Sequence, residues 1–235
     1  MRAKLFSGIM FLLLSFSWAS YSEPQPDKGT FWKDDFSATK LKDKLLFPKG
    51  WELRTKMGTP ASSFFVIKDA EGKNILNAKS DKSTGTLLKN LSGKVDLKKT
   101  PVVKWSWKAS VLPKNGDGRY SDKDDQAIAL YIGTGRFWQQ SVAYRWETDT
   151  PLNCEGNVSY GAGMVKVKWY CVRNKNNELE KWYVEERNIA EDFKKAYGFL
   201  PDDIAVSLVS NSQYTKSQAE AQVGWIEFIP AEKKE

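Results

Sequence analysis

The chain has 235 residues, 36 Lys and Arg against 29 Asp and Glu, a net charge of +7, 41% hydrophobic residues and no histidine. That apolar share supports a packed core of one large domain rather than a disordered chain. The missing histidine excludes Ser-His-Asp and Cys-His catalysis, His-ligated zinc, copper or iron, and His acid–base chemistry, while two cysteines cannot build a thiolate-only zinc site.

Residues 1–19 read as a signal peptide. Arg2 and Lys4 form a charged start, 9–16 is almost unbroken apolar, and Ser17 and Ala19 are the small residues before a cleavage point. The apolar run is short for a membrane span. The mature chain is therefore expected to be exported, periplasmic or extracellular, with no membrane span and a net charge of about +5. Its Lys and Arg are spread among acids, so no nucleic-acid partner is expected. Residues 20–30 form a polar tether, 31–230 a single β-sandwich domain, and 231–235 a charged tail.

Short strands are predicted at 31–36, 51–54, 64–68, 75–78 and 86–89, separated by turn signals such as Glu71-Gly72-Lys73-Asn74. Residues 102–108 alternate, with Val103, Trp105 and Trp107 on one face and Lys104, Ser106 and Lys108 on the other. The stretch 124–132 is the predicted centre of a sheet. Its faces, Ala127, Ala129 and Tyr131 against Ile128, Leu130 and Ile132, are both apolar. Its expected neighbours are 102–109 and 141–147. In the latter, Val142, Tyr144 and Trp146 face one way, with Arg145 and Glu147 opposite. In 164–171, Val165, Val167 and Trp169 are expected inward, with Lys166, Lys168 and Tyr170 outward. Another strand is predicted at 182–187. Asn188 caps a helix, Glu191 and Asp192 suit its positive end, and Gly198 stops it. Strands at 204–209 and 223–229 close the domain, the last beside the first. The fold class is all-β with one packed helix: an antiparallel β-sandwich or jelly roll of lectin-like kind.

Several residues are candidates for chemistry. Asp122, Asp124 and Asp125 offer oxygen ligands, so calcium is the one cofactor considered. Arg136, Phe137 and Trp138, on a hairpin loop, would make a ligand platform. Arg145 and Glu147 complete that ligand-binding set. Glu147 and Asp149 match part of a glycosidase-type pair, but Leu152 stands where a second glutamate would be needed. Lys104, Lys108, Arg145, Lys166 and Lys168 would form either an acidic-glycan groove or a solvated face. Cys154 and Cys171 are expected to form a disulfide after export.

The order of motifs resembles the bacterial domain-of-unknown-function 3047 family. The carriers are Trp105-Ser106-Trp107, Asp124-Asp125, Tyr144-Arg145-Trp146, Glu186-Arg187-Asn188-Ile189 with Asp192-Phe193 and Tyr197-Gly198, and Ala219-Glu220-Ala221 with Gly224. The resemblance implies an exported lectin-like β-sandwich and no particular activity. Where that family tends to carry Asp before the closing strand, this chain has Asn211 and Gln213. Amides cannot act as general acids or bases, so catalysis resting on those positions is in question here. The expected function is non-catalytic binding of a polysaccharide or another cell-envelope component. The alternatives are a carboxylate-dependent glycan hydrolase or lyase and a scaffold that binds only protein.

Overall fold

The alternating strands assemble into two sheets packed face to face. The computed structural model describes residues 32–40, 47–134 and 139–232. The signal peptide, the tether and the loop residues Arg136, Phe137 and Trp138 lie outside the described residues.

The elements are β1 (Trp32–Asp34), β2 (Glu52–Arg54), β3 (Ser63–Lys68), β4 (Asn74–Asp81), β5 (Thr84–Asn90), β6 (Val102–Val111) and β7 (Gln126–Thr134), then β8 (Gln139–Trp146), β9 (Glu155–Tyr160), β10 (Val165–Arg173), β11 (Tyr183–Asn188), helix α1 (Ile189–Tyr197), β12 (Ala205–Asn211) and β13 (Gln218–Ile229). One sheet has the order β11-β6-β13-β4-β3, with β1 also on β13. The other has seven strands in the order β2-β5-β12-β7-β8-β10-β9. Every strand pair is antiparallel except β8 with β10, which is parallel. The expected pairing of first and last strands is present, Trp32 opposite Phe228. No helix among the described residues is long and apolar enough to cross a membrane.

β7 is the middle strand of its sheet, as its two apolar faces require. Its neighbours are β8 and β12, not β6. The loop over 112–125 carries the chain from one sheet to the other, so β6 faces β7 across the core instead of pairing with it. The core is aromatic. Trp105 stacks on Tyr144 with centroids 5.1 Å apart, and Tyr144 stacks on Tyr170 at 5.9 Å. Trp107 meets Trp146 at 5.8 Å. Such pairs add roughly 0.5–1.5 kcal/mol each beyond simple burial.

β10 corrects another expectation. Its faces alternate as predicted, but the inward one is reversed. Tyr170 joins the core between the sheets, while Val167 and Trp169 lie on the outer side of the seven-stranded sheet. Alternation separates two faces without saying which is covered. Here the parallel register sets Trp169 beside Ala143 and Tyr170 beside Tyr144. Helix α1 packs against β8 of this sheet and β6 of the other. Asn188 Oδ1 accepts from the Glu191 amide at 3.2 Å, and Gly198 ends the helix at φ 78°. The Tyr197 hydroxyl lies 2.7 Å from the Ser141 carbonyl and accepts from the Lys168 amide at 3.0 Å, pinning β8 to β10.

Candidate functional site

The outer face of the seven-stranded sheet is not an ordinary solvated surface. Cross-strand register places its side chains in rows. Arg54, Thr86, Val209, Ala129 and Arg145 form one row; Leu88, Ser207, Tyr131, Ala143 and Trp169 form the next. Half of this face is covered. Ala143, Val167, Trp169 and Cys171 make a second apolar cluster, with Tyr131, Val158 and Val165 against it. β9, the edge strand beside β10, completes the cluster with Val158. Gly156 lies so close to Trp169 that a β-carbon there would stand 2.3 Å from the indole.

Arg145 sits inside this cover, fully buried. Its Nη1 donates to Asp124 Oδ1 at 2.7 Å and to Glu147 Oε1 at 3.2 Å, and its Nη2 donates to the Tyr131 hydroxyl at 3.1 Å. The Tyr160 hydroxyl donates to the other Asp124 oxygen at 2.7 Å. Glu147 Oε2 accepts from the Gly118 amide at 2.9 Å and from the Thr150 hydroxyl. The guanidinium carbon lies 5.3 Å from the Trp169 ring centroid. Burial pulls the Arg145 guanidinium downward, but Tyr131, Asp124 and Glu147 outweigh it and hold it charged above its ordinary value. Burial pushes the Tyr131 and Tyr160 hydroxyls up, so both stay protonated at neutral pH, Tyr131 accepting from Arg145 and Tyr160 donating to Asp124.

Beside this ridge runs a groove. One section of about 390 Å³ is lined by Tyr131, Tyr160, Tyr214, Gln126, Asn211 and Gln213, with Arg54 and Lys56 also on it. A second section of about 520 Å³ continues past Asn90, Gly133 and Ala205. The two share Arg54, Leu88, Gln139, Ser141 and Ser207. Along β12 the lining runs from Asn211 to Ala205, about 20 Å at the rise of a strand. Small side chains make the floor: a β-carbon on Gly133 would stand 2.6 Å from the Ser141 hydroxyl. Asn211 is oriented by its Nδ2 donating to the Asp124 carbonyl at 3.0 Å. No carboxylate lines the first section among the described residues; Glu52 and Asp203 lie on the second.

Residues 49–227 match the family described as "Protein of unknown function (DUF3047)". The chain belongs to the DUF3047 family. No curated protein matches this DUF3047 chain in sequence. Among solved structures, it is similar to the family 11 carbohydrate-binding module from Clostridium thermocellum in complex with a β-1,3-1,4-mixed-linked tetrasaccharide. The identity is 13%, covering 86% of this chain and 95% of that one, with a TM-score of 0.44. It is also similar to the CBM22-1 xylan-binding domain of Paenibacillus barcinonensis Xyn10C, at 13% identity over 88% of this chain and 99% of that one, TM-score 0.39. A thermostable cellulase derived from the Rhodothermus marinus Cel12A enzyme gives 11% identity over 75% and 96%, TM-score 0.40. At these values the likeness assigns no function to the DUF3047 chain.

The sequence-derived candidates are placed as follows. Arg145 and Glu147 are fully buried and brace the ridge instead of facing a ligand. Asp124 and Asp125 point apart: Asp124 serves Arg145, whereas Asp125 accepts from the Tyr214 amide at 3.2 Å and the Thr215 amide at 2.7 Å. Asp122 is exposed. No group of three such carboxylates converges among the described residues, so the calcium set does not assemble. Asp149 pairs with Lys175 at 2.8 Å, apart from the buried Glu147, so the hydrolase pair does not form. The basic set is divided as well. Lys104 pairs with Glu186 on the six-stranded sheet, Lys168 with Glu155 on the other, and Arg145 is buried. The expected disulfide is not formed: Cys154 and Cys171 are both free thiols, with Cys171 buried and its N–H donating to the Cys154 carbonyl at 2.9 Å.

Of the groove residues, the sequence reading singled out Asn211 and Gln213, as amides where the family tends to carry Asp, but not as a ligand site. One signal for them was present. β12 alternates Ser207, Val209 and Asn211 with Val206, Leu208 and Ser210, marking a polar outer face on an interior strand.

Proposed function

We propose that this protein binds carbohydrate, without turning it over, in the groove on the outer face of the seven-stranded sheet. The observation that carries this reading is the chemistry of the lining. Amides at Gln126, Asn211 and Gln213 and hydroxyls at Ser141 and Ser207 both donate and accept, which matches the two-way hydrogen bonding of sugar hydroxyls. Tyr131, Tyr160 and Tyr214 add amphipathic ring surface. Glycoside hydrolysis needs two carboxyl groups flanking the bond. The first section offers none, and nearby Asp124 and Glu147 are engaged by Arg145.

The test is affinity electrophoresis and titration calorimetry with a panel of soluble neutral and acidic polysaccharides, alongside a reducing-end assay. Binding without release of reducing ends is expected, and Tyr214→Ala combined with Gln213→Ala should weaken it at least tenfold. Failure of the whole panel to bind, or full binding by the double variant, would overturn the reading. Steady release of reducing or unsaturated ends would replace it with the enzyme alternative.

A further inference from the structure

The two cations on the groove are Arg54 and Lys56. Most other cations near this sheet are neutralised: Lys89 by Asp34, Lys168 and Lys195 by Glu155, and Arg119 by Asp117. The Arg54 side chain is exposed and makes no hydrogen bond, ion pair or ring contact among the described residues. Among the described residues, the Lys56 side chain has only the Tyr214 ring, 5.7 Å from its Nζ. Glu52, one face-position away on β2, stands on the second section of the groove and is not bonded to Arg54.

A second, independent feature points to a ligand. Gln126 is 2% exposed, lines the same section, and its Oε1 has no hydrogen-bond partner. A buried acceptor left unpaired is costly, and such groups are rare in folded proteins. β2 and β7, which carry Arg54 and Gln126, are separated by β5 and β12. At the usual spacing of strands this is about 14 Å. One ligand touching both must be wider than a single pyranose ring.

Resting on the carbohydrate reading above, we infer that the ligand is an acidic oligosaccharide, a uronate-containing chain. A sugar carboxylate pairs with Arg54 and Lys56, and a hydroxyl of a neighbouring ring donates to Gln126 Oε1. The planar guanidinium takes a carboxylate through two parallel hydrogen bonds, which a neutral sugar cannot accept in the same way.

The experiment compares tetragalacturonate with its fully methyl-esterified form and with a neutral gluco-oligosaccharide, by titration calorimetry at two salt concentrations. The acid is expected to bind at least tenfold more tightly than the ester, and less so at high salt. Arg54→Gln should reduce that difference, and Arg54→Gln with Lys56→Gln should abolish it; Lys104→Gln, on the other sheet, should change nothing. Gln126→Met should weaken binding of acid and ester alike, yet leave the melting temperature equal or higher, because it removes an unpaired buried acceptor. Equal binding of acid and ester, or an unchanged preference in Arg54→Gln, overturns the inference. If the neutral chain binds and the acid does not, only this inference falls. If none of the three ligands nor the polysaccharide panel binds, the carbohydrate reading falls with it.

Discussion

Replacing Arg145 with Met tests whether the ridge beside the groove is held by charge. Arg145 is fully buried, with Asp124 at 2.7 Å and Glu147 at 3.2 Å from the same nitrogen. Met fills much of the side-chain volume but leaves two buried carboxylates facing each other without a cation. Removing one partner of a buried ion pair costs about 3–5 kcal/mol, because the remaining charge is uncompensated. For a domain of this size that corresponds to roughly 6–20 °C in melting temperature. The informative companion is Arg145→Met with Asp124→Asn and Glu147→Gln. It removes the stranded charges as well, and should recover at least half the loss. Chemical denaturation in urea, monitored by tryptophan fluorescence, measures both. A loss under about 1 kcal/mol for the single variant would refute a charge-held ridge, since a buried, doubly paired guanidinium should not behave like a surface one. A triple variant no better than the single one would place the cost in packing against Trp169 and Tyr131 instead.

Three further outcomes follow from the same geometry. Gly156→Ala should destabilise the protein by about 1–3 kcal/mol, because its β-carbon would stand 2.3 Å from the Trp169 indole; the loss should shrink when Trp169→Leu is added, as urea midpoints would show. Asp117 has its carboxyl held below the ordinary range by the Arg119 guanidinium, against the opposing effect of burial, so its contribution is present at neutral pH and lost as pH falls through its folded value. Asp117→Asn should lower the melting temperature at pH 7, and the difference should shrink as pH falls below the ordinary carboxylate range. Burial pushes the Cys171 thiol up to about 12, so a brief alkylation of native protein at pH 8 should spare Cys171, and a second thiol should appear on unfolding. No alkylated thiol in unfolded, unreduced protein would show that the pair is oxidised.

Much of the fold was legible because alternation and capping are local. Trp105 and Trp107 read as core from their neighbours Lys104, Ser106 and Lys108, and both are fully buried. Asn188, Glu191 and Gly198 marked the helix and both of its ends. β7 read as central because both its faces are apolar. What was not legible depends on residues far apart in the chain. β9 escaped notice: its sequence, Glu-Gly-Asn-Val-Ser-Tyr, alternates weakly and carries glycine, and it becomes a strand by pairing with β10. Arg145 looked like a surface cation on the polar side of β8. Nothing within a few residues of it reveals that Trp169 and the Gly118 loop cover that side. The groove follows from that cover, so it could not be read before the cover was known. Asp124 and Asp125 drew attention as a pair, but adjacent strand residues face opposite ways, and their separate partners reflect this.

The buried arginine and the groove are therefore parts of one arrangement. An outer sheet face without cover would be a shallow curved surface, from which a ligand gains little burial. Here a second apolar cluster rises on the β8-β10-β9 half of the sheet, and Arg145 fixes its border. Tyr131 and Tyr160, which face the groove, are each hydrogen-bonded to that ion cluster, so their rings are held in place before any ligand arrives. Ordering a side chain on binding costs about 0.5–1.5 kcal/mol, and a preformed wall avoids that cost at each position. On the opposite side Arg54 and Lys56 are tied to little, so that rim is left to adapt. A rigid aromatic wall facing an adaptable charged rim suits a chain of repeating rings. On the proposed reading, the wall would set the plane of the rings and the rim would select the charge they carry.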